Sequence, residues 1–104
     1  MELTLEVRER NMNKLNNYIT IQKSSMEGWI DSFLAHRDVE PEEEAYSLDN
    51  LIRMIKDDYS EALAVLRYLC YFDRSIDEKT MNVISSDLCR HMNRCREEAI
   101  RRYL

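Results

Sequence analysis

Apolar residues recur at steps of three and four through three successive stretches of about thirty residues, and proline interrupts none of them. The first carries Leu5, Met12, Leu15, Ile19, Met26, Trp29 and Phe33. The second carries Ala45, Leu48, Ile52, Ile55, Tyr59, Ala62, Leu66 and Leu69, and the third Met81, Ile84, Leu88, Cys95, Ala99 and Tyr103. That spacing lays one apolar stripe along each helix, and stripes of this kind bury each other at shallow crossing angles. With one Gly and one Pro in 104 residues, the many turns of a sandwich or barrel have nothing to form from. The predicted fold is all-α: an antiparallel up-down-up three-helix bundle, residues 1–104 forming a single domain, with Trp29 in its core.

The helix boundaries follow from local signals. Helix one is predicted from about Thr4 to about Ala35. Pro41 suits the first position of helix two, where its missing N–H is not needed, and Glu42, Glu43 and Glu44 then complement the positive end of the helix dipole. Helix two is expected to reach about Phe72 and to turn at Asp73-Arg74, with Ser75 and Glu78 as a capping box opening helix three. The alternative is four helices, because the seam turns polar at Gln22-Lys23-Ser24-Ser25 and Ser24 with Glu27 makes a second capping box. Gly28 is either a tolerated helix glycine or a point of close backbone approach. Leu3, Leu5 and Val7 alternate with polar residues as a strand does, although a frayed first turn accounts for the same pattern.

Charge and cysteine content narrow the setting. Net charge is −5, distributed unevenly: residues 1–37 balance at five acidic and five basic, residues 38–61 carry nine acidic and two basic, and residues 62–104 six acidic and eight basic. The acidic and basic segments neutralise each other when packed antiparallel. Cys70, Cys89 and Cys95 are odd in number and embedded in helical pattern, which suits reduced thiols. With no apolar run long enough to span a bilayer and no signal-like start, the expected location is cytoplasmic.

Candidate chemistry is sparse. His91 and Cys95 share a helix face with Cys89 near, but there is no CxxC or HxxxH, and His36 and Cys70 lack matching spacing, so no metal or cofactor is expected. Asp58 with Glu61, and Glu6 with Glu9, are three-residue carboxylate pairs of the kind that all-α nucleotide pyrophosphohydrolases use to hold magnesium, without a Glu-x-x-His partner. They support one alternative, a metal-dependent all-α nucleotide hydrolase. Arg90, Arg94 and Arg101 fall within about 40° on the helical wheel and make a basic stripe that Glu97 interrupts. They support another alternative, a nucleic-acid-associated protein, against which a pI near 5.0 weighs. No glycine elbow or phosphate loop is present.

The leading expectation is therefore a non-enzymatic protein–protein interaction module, an adaptor, assembly factor or inhibitor of a macromolecular partner. A chain this short, with no catalytic constellation, also has the layout of a compact phage or mobile-element inhibitor. The apolar residues off the seams, Ile21, Met54, Val65, Val83 and Ile100, are the expected partner-binding positions. They also predict self-association, with a homodimer as the simplest arrangement.

Overall fold

A computed structural model describes residues 4–36 and 47–103. Three helices, α1 (Leu5–His36), α2 (Leu48–Tyr68) and α3 (Glu78–Tyr103), pack against one another as an antiparallel bundle about 55 Å long. Expectations placed on Leu3, on Pro41 and the glutamates after it, on Ala45, and on the side chains of His36 and Tyr103 lie outside the described residues. The α1 helix starts where Thr4 Oγ1 accepts from the Val7 N–H at 3.3 Å, so Leu5 and Val7 are helical rather than extended. The α2 helix is capped by Ser47, whose extended backbone lets its Oγ accept from the Asn50 N–H at 3.2 Å.

The stripes bury two stacked clusters. At the end nearer the α1–α2 connection, Met26, Ile30 and Phe33 meet Leu51, Ile55, Cys95 and Ala99. At the other end, Leu15 and Ile19 meet Ala62, Leu66, Ile76 and Leu88. Tyr59 packs against both. Three assignments change. Leu5, first in the predicted α1 stripe, is 72% exposed at the helix start, beyond the end of the buried cluster. Leu51 takes a buried place on α2 while Ile52 is only half-buried, and Ile30 rather than Trp29 fills the core, Trp29 being 37% exposed. The displacement has a physical cause: Met26, Ile30 and Phe33 define the centre of the α1 stripe, and Trp29 sits at its edge, where its Nε1–H donates to Asp58 Oδ2 at 2.8 Å. Buried indoles need such a partner, and the carboxylate is available only at the margin.

The predicted alternative of a break near Ser24 does not occur; α1 is continuous over 32 residues. Its polar stretch lies at the waist between the two clusters, where α3 is polar too. The Lys23 ammonium pairs with Asp87, and His91, buried on α3, has Nε2 3.3 Å from the Lys23 carbonyl oxygen. A Cβ added at Gly28 would meet nothing within 4 Å, so that glycine is an ordinary helix position and not a site of backbone approach.

The predicted capping box of Ser75 and Glu78 is also replaced. The chain leaves α2 through a π-helical turn, Leu69–Asp73, and Arg74 adopts the left-handed region at φ 52°. The Ser75 N–H then donates to the Leu69 carbonyl at 3.2 Å, which closes the corner and drops Ile76 into the core. Helix α3 begins two residues later than the box requires, with Asp77 as its cap: Oδ1 accepts from the Thr80 N–H at 2.6 Å.

Two outcomes follow for stability. Ile30→Ala will cost about 2–5 kcal/mol, whereas Trp29→Phe, which removes a half-exposed hydrogen bond, will cost about 1 kcal/mol; urea denaturation of the two variants checks the contrast. The Lys23 hydrogen bond, with a smaller opposing effect of burial, holds the Asp87 carboxyl below its ordinary value. A depressed carboxyl adds stability that is complete above its unfolded value and is lost as pH falls through the folded one. Stability will therefore decline below about pH 4, and Asp87→Asn will make that decline shallower in denaturation curves taken across the acid range.

Candidate functional site

The corner between α2 and α3 and the first turns of α1 enclose the largest concavity described, a cleft of about 800 Å³. Leu5, Arg8, Glu9 and Met12 form its α1 wall. Cys70 and Tyr71 from the π-helical turn, with Arg74, Ser75 and Ile76, form the opposite one, and Asp77 and Glu78 close the rim. Three aromatic side chains stand within five residues here, and helical spacing puts Tyr68, Tyr71 and Phe72 on the side away from the buried Leu66 stripe. They are 57%, 61% and 79% exposed, and the Tyr68 and Phe72 rings stack with centroids 5.5 Å apart. Leu5 at the cleft mouth is 72% exposed.

Polar groups at this pole are incompletely matched. Ser75 is 6% exposed, and its Oγ has no hydrogen-bond partner, a state that costs about 1–3 kcal/mol when a hydroxyl is buried. Arg74, a non-glycine residue in the left-handed region, adds strain of the kind that persists where surrounding structure imposes it, commonly at functional sites. Among the described residues no ion pair within 4 Å engages Arg8 or Arg74, although Arg8 is near enough to Asp77 to help lower its carboxyl. Asp77 is already committed: the Thr80 N–H and hydroxyl hold its carboxyl below the ordinary value.

The positions singled out from sequence lie elsewhere. Ile21 and Val83 are exposed and Ile100 marginally so, while Met54 and Val65 are half-buried, Val65 packing against a core cluster. Val83 and Ile100 are about 25 Å apart along α3, so these residues do not meet in one patch. The carboxylate pairs are likewise separated. Asp58 is fixed by Trp29 at mid-bundle, whereas Glu6 and Glu9 are near the start of α1, about 30 Å from Trp29 along the helix. Burial, outweighing the Trp29 hydrogen bond, raises the Asp58 carboxyl, and Glu61 lies near enough to Tyr18 to raise its phenol alongside burial.

His91 and Cys95 do meet, Nε2 to Sγ at 3.6 Å, with Glu27 Oε1 also 3.6 Å from Nε2. Burial pushes the Cys95 thiol up, and among the described residues no group of three or more His, Cys, Asp or Glu side chains could hold a metal ion. Cys89 instead faces Asn93, at 3.8 Å, and Tyr59. Arg90, Arg94 and Arg101 are all exposed, but the stripe is engaged within its own helix. Arg94 lies 3.4 Å from His91 Nδ1, and Arg101 pairs with Glu98 at 3.2 Å, the neighbour of the Glu97 that interrupts the stripe. No helix among the described residues is long and apolar enough to cross a membrane.

Nothing in the sequence reading marked the corner as a site. The available signal was local: Tyr68, Tyr71 and Phe72 are clustered immediately before the turn and lie off the Leu66–Leu69 stripe. No family model, curated protein or solved structure matches the chain, so its functional reading rests on this geometry.

The cap exchange gives a direct check of the corner. Ser75→Ala will leave stability unchanged or raise it by about 1 kcal/mol, because the substitution removes an unpartnered buried hydroxyl. Asp77→Ala will lower the melting temperature, because Asp77 and not Ser75 caps α3. Thermal melts of the two single variants, which the capping-box arrangement would order the other way, decide between them.

Proposed function

We propose that this protein is a non-enzymatic protein–protein interaction module, acting as an adaptor, assembly factor or inhibitor, and that the corner pole is its contact surface. One observation carries the reading: three exposed aromatic side chains are clustered beside the largest cleft. Aromatic residues contribute large contact area with few rotatable bonds, and they dominate binding energy where a partner desolvates them. Left in water, the same cluster has no part in either core and gains only the Tyr68–Phe72 stack. A cytosolic setting fits the three free thiols. The self-complementary arrangement expected from the dispersed apolar positions is better supported at this pole.

Affinity capture from the native cell, followed by quantitative mass spectrometry, tests the proposal with wild-type and Tyr71→Ser/Phe72→Ser baits matched for helicity and melting temperature. The expected result is a protein recovered by the wild type and lost with the double variant. Equal recovery on both baits would overturn the assignment of the surface. Magnesium-dependent nucleotide turnover abolished by Asp58→Asn would overturn the non-enzymatic reading, and salt-sensitive nucleic-acid binding abolished by Arg94→Glu would shift the contact surface to α3.

A further inference from the structure

We infer that the corner pole is covered by a second copy of the chain, related by a two-fold axis so that the aromatic ridge of each copy closes the cleft of the other; this rests on the pole being a contact surface. The first support is shape. A protruding ridge, with Phe72 79% exposed, adjoins an open cleft of about 800 Å³ at the same end of the bundle. A two-fold operation places ridge against cleft twice, and the contact closes on itself instead of propagating into a filament.

Charge narrows the occupant further. The cleft wall carries both signs, Arg8 and Arg74 against Glu9, Asp77 and Glu78. An acidic peptide or a nucleic acid would meet three carboxylates, and a basic peptide would meet two guanidiniums. A surface bearing the same mixture in reversed order leaves neither sign opposed, and rotation of this pole about a two-fold axis supplies one.

Area then sets the strength. Three aromatic side chains of roughly 150–250 Å² each, at their observed exposures, and Leu5 beside them present roughly 500 Å² per copy. Two copies would bury roughly 1,000 Å², at the lower limit for a specific interface. The association is accordingly reversible and visible only as concentration rises.

Sedimentation equilibrium of the full chain from roughly 10 μM to roughly 1 mM, the range suited to a contact of this size, reads the outcome. The mass is expected to climb from 12.5 kDa towards twice that value. Phe72→Ser and Tyr71→Ser, each with unchanged helicity, are expected to weaken the dimer at least tenfold. Arg8→Glu is expected to weaken it too, and an equimolar mixture of Arg8→Glu and Glu9→Arg chains to associate more strongly than either alone. A wild type that stays monomeric throughout overturns the inference, as does a dimer indifferent to both aromatic substitutions or a charge-swapped mixture that gains nothing. A monomer that captures a different protein through Phe72 removes the second copy and leaves the interaction reading standing. A dimer at the pole that Phe72→Ser dissolves establishes the inference whether or not other proteins bind.

Discussion

The contacts at the waist fix how far α1 slides along α3, and the pole depends on that register. Apolar stripes alone are degenerate, because a shift by one helical turn still brings leucine and isoleucine against similar side chains. Polar contacts do not tolerate that shift. The Lys23 ammonium reaches Asp87, and its carbonyl lies beside buried His91, so displacement would leave an imidazole and a carboxylate without these partners. With α1 held there, its first turns face the corner and form one wall of the cleft. The stretch Gln22–Ser25, which resembles an interruption when α1 is considered alone, thus matches a polar level of the neighbouring helix.

At the far end, scarcity of glycine shapes the corner. A helix of this kind commonly ends with glycine in the left-handed region, where the lack of a Cβ removes strain. Here Arg74 occupies that place. The tightening bond from the Ser75 N–H to Leu69 forms all the same, and the preceding residues are wound as a π-helical turn. Burial of Ile76 anchors the link to the core. The arrangement leaves a hydroxyl unpartnered, an arginine strained and three aromatic rings in water. Each of these works against stability, and the proposed contact surface would account for them together.

The sequence made the fold legible because apolar period depends on local geometry, and every stretch carried the same period. Leu15, Ile19, Met26, Phe33, Ile55, Ala62, Leu66, Leu88, Cys95 and Ala99 are all buried. Trp29 and the Ser75 cap were misjudged for a shared reason. Each depends on where a neighbouring element lies: Asp58 captures the indole at the edge of the stripe, and Ile76 draws the chain inward before α3 can begin. Tryptophan's size implies burial while its N–H favours a boundary. The pole is hidden in the sequence because its cleft is a tertiary outcome. On an ideal wheel Tyr68, Tyr71 and Phe72 already lie off the Leu66–Leu69 stripe, but the wheel does not show the cleft beside them, which needs the first turns of α1 against the corner.

The proposed binding reading places the function at the cleft, away from the groups whose titration burial raises. Groups displaced from their ordinary values can mark active sites when several converge around one space. Here each has a local explanation. Asp58 is raised by burial at the α1–α2 edge, Cys95 by burial in the core, and Asp87 is lowered at the waist by Lys23. Asp58 and Tyr18, both raised chiefly by burial, lie near Glu61, while Cys95 and Asp87 sit at other levels of the bundle. The cleft has a different character: its acidic and basic side chains are exposed, and its most distinctive neighbours are aromatic rings. On the proposed reading, exposed charges of both signs beside stacked rings would select a partner by complementarity of shape and charge.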